Sequence, residues 1–200
     1  MEKEVLEKMY ERIKKPINEF IIPNSVPVVY FGDYEKAKAC TIALHPSHNE
    51  TLFYRPRLGI SHEDELTDKD AEYVLEKCNH YFENETYIYH SFFDPNEYMI
   101  NKFAYSYYKD KNKNLCVQLN LVQWLANGWR TILEPTKEKD FEFLEVLLNN
   151  GNFERIFLNG IVVKEYMQRI HTFELTGFAN EKQFLTKYPL QHILEYIKTL

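Results

Sequence analysis

Four apolar runs in this chain end in polar residues that can do chemistry: His45-Pro46-Ser47, Asn120, Asn159-Gly160 and Thr176-Gly177. An imidazole accepts and releases protons near neutral pH. A carboxamide sets a donor beside an acceptor, which suits the edge of a planar heterocycle in one bidentate contact. Pro46 has no N–H to give a ladder and pushes His45 out of helical φ/ψ, so the chain must turn there. If the four runs are parallel strands, their polar ends share one sheet edge. That edge is where open α/β sheets bind ligands.

The elements that would position these groups can be read from period and punctuation. Ala39 to Leu44 has the length and β-branched content of a buried strand. Further strands are expected at Leu115–Leu119, ending in Asn120, at Arg155–Leu158, ending in Asn159, and at His171–Leu175, ending in Thr176. Val28 to Phe31 reads as a short edge strand turned by Gly32-Asp33. Glu2 to Lys15 is an amphipathic helix with Val5, Leu6, Met9 and Ile13 on one face. Thr67 and Asp70 form a capping box for a helix carrying Ala71, Val74, Leu75, Cys78 and Phe82. Asp94 caps a third helix, with Pro95 in its first turn and Met99, Ile100, Phe103, Ala104 and Tyr107 inward. Thr136 starts a helix stopped by Asn150-Gly151, Ile161–Ile170 forms another, and Pro189 opens the last, with Leu190, Ile193, Leu194 and Ile197 inward. Strands alternating with helices imply right-handed crossovers. The expected fold is α/β, one domain over residues 1–200: a three-layer αβα sandwich around a mainly parallel, four-stranded sheet.

Composition narrows the function. A net charge of −6 argues against coating nucleic acid by bulk attraction, though it leaves room for a local basic cleft. Fifteen Tyr and 14 Phe can build a core or stack on bases. Cys40, Cys78 and Cys116 have no C-x-x-C spacing, so no zinc ribbon or iron–sulfur cluster is supported and a reducing interior is the simplest home. No run reaches transmembrane length and the acidic N-terminal stretch is unlike a signal peptide. A cytoplasmic monomer with no membrane partner is expected. No G-x-G-x-x-G or Walker-type loop supports a nucleotide-binding enzyme, and no cofactor is implied.

The segments Val26–Asp33 and Cys40–Glu50, then Cys116–Trp124 and Ile156–Gly160, resemble in order and spacing the uracil-DNA glycosylase superfamily. In that family a strand ends in a short Pro-containing loop bearing the catalytic residue, and a second strand ends in an Asn that reads the flipped base. The resemblance implies a DNA glycosylase-like protein, one that hydrolyses the N-glycosidic bond of a damaged or modified, uracil-like base in single- or double-stranded DNA. It gives His45 the catalytic position and Asn120 the base-reading one. Ser47 and Asn159 would join the substrate pocket, and Phe53, or Tyr54 beside it, would be the stacking ring. Arg55 and Arg57 follow the site loop, where the guanidinium fork suits bidentate phosphate contact.

The chain departs from the family in two places. At the position of His45 the family usually carries Asp or Asn. A neutral imidazole can take a proton from water, whereas an imidazolium would repel the oxocarbenium-like cation formed as the bond breaks. His45 therefore fits a working base with different chemistry, a residue tuned to an unusual base, or a binder that has lost catalysis. The family's second His-containing loop has no clean counterpart, since Thr176-Gly177-Phe178-Ala179-Asn180 fills the slot and His171 falls at the wrong end of its strand. The alternative is a catalytically inactive nucleic-acid-binding or protein-interaction module on the same fold. His45 and His48 have H-x-x-H spacing, but a loop fixes no common face for them and no metal is expected. Glu50 is a weaker carboxylate candidate for the same pocket.

Overall fold

The structure, a computed structural model, describes residues 3–14, 22–47, 53–60, 65–125, 137–167, 175–176 and 193–198. In chain order its elements begin with α1 (Lys3–Lys14), β1 (Tyr30–Phe31), β2 (Ala39–Ala43), α2 (Asp68–Asn79), α3 (His90–Ile100) and β3 (Tyr105–Ser106). They continue with β4 (Asn114–Asn120), α4 (Lys137–Asn150), β5 (Arg155–Asn159), α5 (Ile161–Met167), β6 (Leu175–Thr176) and β7 (Ile193–Lys198).

All five residues of β2 are buried, and the strand lies between parallel neighbours, β4 and β5. The order across the sheet is β1-β4-β2-β5-β7-β6, with β3 beside the start of β4. β1, β7 and β6 each run antiparallel to the strand they join. The fold is thus mixed α/β with an open, mixed sheet of seven strands among the described residues. This corrects the expected mainly parallel, four-stranded sheet. The parallel character is confined to β2, β4, β5 and the short β3.

Two further corrections come from pairing that local pattern does not encode. The stretch expected as the last helix contains β7, paired along β5 from Asn159↔Ile193 to Arg155↔Ile197. Ile193, Leu194 and Ile197 satisfy a helical period and a short strand run equally well, and the open edge of β5 decides between them. α3 starts at His90, so Pro95 is inside it and Asp94, expected as the cap, is an i+4 partner of His90. Burial of Phe93 among Phe31, Tyr81, Phe82 and Tyr107 holds the extra turn, because tertiary packing supplies most helical stability.

Other local signals hold. Thr67 Oγ1 accepts from the Asp70 N–H at 3.3 Å and the Asp70 carboxylate accepts from the Thr67 N–H at 2.9 Å, closing the capping box of α2. In α4, Leu144, Leu147 and Leu148 are buried.

Alternation along the strands defines two faces. Thr41, Gln118 and Phe157 are level with one another on one face, which Phe103, Tyr105 and Tyr107 cover. Cys40, Ile42, Val117, Leu119, Ile156 and Leu158 point to the other and are buried. On that side Tyr34 donates to the Leu147 carbonyl of α4 at 2.6 Å, and Tyr30 to Asn79 of α2 at 3.1 Å.

A buried ion pair joins the first helix to α4. Arg12 meets Asp140, with side-chain exposures of 7% and 0%, and Arg12 also donates through Nε to Gln123 Oε1 at 3.2 Å. Burial draws the guanidinium down to about 10, which leaves it charged at neutral pH. Removing one member strands the other charge away from water. Asp140→Ala is expected to cost about 3–5 kcal/mol of unfolding free energy. Arg12→Met/Asp140→Leu should cost less than that single change, as read by urea denaturation.

The three cysteines are buried and unbridged. Burial raises the Cys78 thiol to about 12 and the Cys116 thiol well above its ordinary value. Both therefore stay protonated at pH 8, and Ellman's reagent should leave them unmodified in native protein while reacting promptly in denaturant.

Candidate functional site

The carboxyl ends of β4, β2 and β5 meet at one level. Ala43 pairs with Asn120, and Asn159 lies one residue beyond the Ile42↔Leu158 pair. Asn120, Ala43 and Asn159 therefore stand side by side on the face that α3 and Tyr107 cover, with the alanine methyl between two carboxamides. Gly160 follows Asn159 at φ +103°, a conformation that glycine alone adopts freely, and α5 starts at the next residue.

His45 lies two residues past Ala43, half-buried, at a bend. Its Nδ1 is 2.7 Å from the Pro46 carbonyl oxygen. A carbonyl only accepts, so Nδ1 carries the hydrogen and the lone pair of the neutral ring sits on Nε2. That is the tautomer a proton acceptor requires. Ser47 is half-buried beside it.

Asn120 is 2% exposed and closes a chain of buried hydrogen bonds. Tyr107 donates to Thr41 Oγ1 at 2.7 Å, and Thr41 donates to Gln118 Oε1 at 2.5 Å. Gln118 Nε2 donates to the Leu119 carbonyl at 2.5 Å and to Asn120 Oδ1 at 3.4 Å. One backbone group fixes every role in this chain. The Leu119 carbonyl can only accept, so the Gln118 amide turns its nitrogen that way and its oxygen toward Thr41. The remaining Gln118 hydrogen selects the oxygen of Asn120. Asn120 Nδ2 is left as a buried donor with no partner among the described residues. Native structures rarely keep such a group unused.

A second glutamine steadies the backbone at the same point. Gln123 Nε2 donates to the Asn120 carbonyl at 3.0 Å, and its oxygen accepts from Arg12. The guanidinium has only donors, so it fixes this amide too.

The remaining expected site residues are placed elsewhere. Phe53 is fully buried, with its ring 5.2 Å from Phe31 and 6.4 Å from Tyr81, so it serves the aromatic core and presents no face to a base. Arg55, expected at a phosphate, is 3% exposed, and only Arg57 of the pair is on the surface. Thr176 does not join the cluster. It pairs with Ile197, which pairs with Arg155, so it stands at the opposite end of β5 from Asn159. His48, Glu50 and His171 lie outside the described residues. Among the described residues no group of three or more His, Cys, Asp or Glu side chains could hold a metal ion, and no helix is long and apolar enough to cross a membrane.

The chain matches no protein-family model, no curated protein and no solved structure. Its function has to be argued from the site.

Sequence reasoning missed Gln118, Thr41 and Tyr107. A signal existed for Gln118, which with Asn120 alternates with Val117 and Leu119, so that two amides share a face of a buried strand. Gln118→Leu would leave the Thr41 hydroxyl, the Leu119 carbonyl and Asn120 Oδ1 without this partner. The expected cost is about 1–3 kcal/mol in urea unfolding. Thr41→Val/Gln118→Leu should cost less than the sum of the two single changes, because partner and counterpart leave together.

Proposed function

We propose that this protein binds a uracil-like base flipped out of DNA and hydrolyses its N-glycosidic bond, on a three-layer fold related to the uracil-DNA glycosylases. The observation that carries this reading is the buried, oriented Asn120 Nδ2 at the end of β4, which has no partner among the described residues. Three of the four segments that resemble the family contain β2, β4 and β5, which are neighbouring parallel strands with their carboxyl ends level.

In this mechanism Asn120 donates to a carbonyl oxygen of the base, where negative charge collects as the bond breaks. A donor fixed in advance lowers that barrier without reorganising. His45 takes a proton from water through Nε2, the water oxygen bonds to the anomeric carbon, and the bonding pair leaves with the ring nitrogen of the base. The proton accepted by His45 returns to solvent or to the departing base. Arg57 is the exposed cation best placed in sequence to meet a phosphate, and the sugar must be rotated out of the duplex before the base can enter.

A second reading, base binding without cleavage, is favoured by two placements. Phe53 and Arg55 belong to the interior, so the stacking ring that the resemblance implies and one of the two arginines expected at a phosphate are absent from the positions expected for them. The net charge of −6 adds nothing to DNA affinity.

The deciding test is an abasic-site assay on single- and double-stranded oligonucleotides carrying uracil, other deaminated bases or modified cytosines. Strand breaks after alkali are expected with the parent protein. They should fall at least about a hundredfold with His45→Ala, as for loss of a general base, and also with Asn120→Ala. Binding with no cleavage on any substrate would select the second reading, and neither binding nor cleavage would remove both.

A further inference from the structure

Asparagine followed by glycine is the pair whose side chain reacts most easily with its own backbone, because the second residue brings no side chain to crowd the ring that closes. The sequence holds three such pairs, Asn127-Gly128, Asn150-Gly151 and Asn159-Gly160. The first lies outside the described residues, and the structure treats the other two in opposite ways. Asn150 ends α4, where its Nδ2 donates to the Val146 carbonyl at 2.9 Å and the Gly151 N–H donates to the Leu147 carbonyl at 2.9 Å. Both groups that would have to react are thus engaged. Asn159 ends β5 half-buried, and its Nδ2 reaches Asn96 Oδ1 at the longer distance of 3.3 Å. The Gly160 N–H donates to no backbone carbonyl among the described residues, and a Cβ added at Gly160 would meet nothing within 4 Å. Across from Asn159, the Nδ2 of Asn96 is buried with no partner among the described residues.

We propose that Asn159 is a site of spontaneous modification, where a neutral carboxamide at the end of β5 becomes a carboxylate. The Gly160 nitrogen gives up its proton to hydroxide and bonds to Asn159 Cγ. The Cγ–Nδ2 bond breaks, Nδ2 takes a proton from water and leaves as ammonia, and a five-membered succinimide remains. Water then adds to one of the two ring carbonyl carbons and opens the ring. The product is aspartate, or its isomer with the backbone routed through the side-chain carbon. The aspartate finds a partner already in place. A carboxylate only accepts, so Asn96, turned about its last bond, offers it Nδ2. A charge-assisted hydrogen bond then replaces one between two amides. What is left buried without a partner is a carbonyl oxygen instead of an N–H2 group, which is the smaller cost. This chemistry needs no ligand at the sheet end, and it runs whether or not the protein cleaves DNA.

The test is to hold the intact protein for weeks in mildly alkaline buffer, well below its unfolding temperature, and to map its peptides by mass and isoaspartate content. Asn159 should convert about tenfold faster than Asn150, the worth of the hydrogen bonds that must open before Asn150 can react. In denaturant those bonds are gone, and the two residues should convert at similar rates. Asn159→Asp, made directly, should fold, and the side-chain amide resonances of Asn96 should move from their positions in the parent. Asn159 left unchanged in the folded protein over the time in which denaturant converts it, or Asn150 converting as fast in the folded protein, would overturn the assignment. An Asn159→Asp protein that does not fold, or whose Asn96 resonances stay where they were, would overturn the exchange of hydrogen-bond partners.

Discussion

The register of β2 between β4 and β5 is the constraint on which the site depends. Two parallel ladders place Ala43 level with Asn120 on one side and Asn159 on the other, and they place Thr41 opposite Gln118 one step earlier. Because side chains alternate with a period of two, a one-residue slip of β2 would send Thr41 and Ala43 to the other face. It would bring Cys40 and Ile42 against the amides of β4. The hydrogen-bond chain from Tyr107 to Asn120 and the apolar packing of the other face thus specify the same register.

Much of this was legible in the sequence because the signals were local. β2, β4 and β5, their polar ends and the capping box at Thr67 follow from apolar runs, turn residues and side-chain spacing within a few positions. What was not legible required knowing which distant segments meet. β7 appears as a strand only once β5 offers it an edge, and Thr176 falls at the far end of the sheet because of the register β7 imposes. Phe53 and Arg55 have types that suit a binding surface as well as a core, and contacts with Phe31 and Tyr81 settle the matter for Phe53. Asn96 shares a helical face with Phe93 and Ile100, and its contact with Asn159 exists only because α3 lies over the end of β5.

The amides near the sheet end are oriented by groups that have no choice of role. The Leu119 carbonyl accepts and cannot donate, and the Arg12 guanidinium donates and cannot accept. Gln118 and Gln123 sit against these fixed partners, and both reach Asn120, one at its side chain and one at its carbonyl. The buried ion pair between α1 and α4 therefore contributes more than a link between helices, since it also determines how the end of β4 is held. Orientation set during folding does not have to be recovered when a ligand arrives.

Every member of the chain Tyr107–Thr41–Gln118–Asn120 is uncharged, and the phenol that begins it is driven well above its ordinary pKa by burial. From acid to well into the alkaline range, the pattern of donors at Asn120 stays the same. Under the proposed function, the donor that meets the base therefore does not change with acidity, and what Asn120 selects is the same in acid as in alkaline solution.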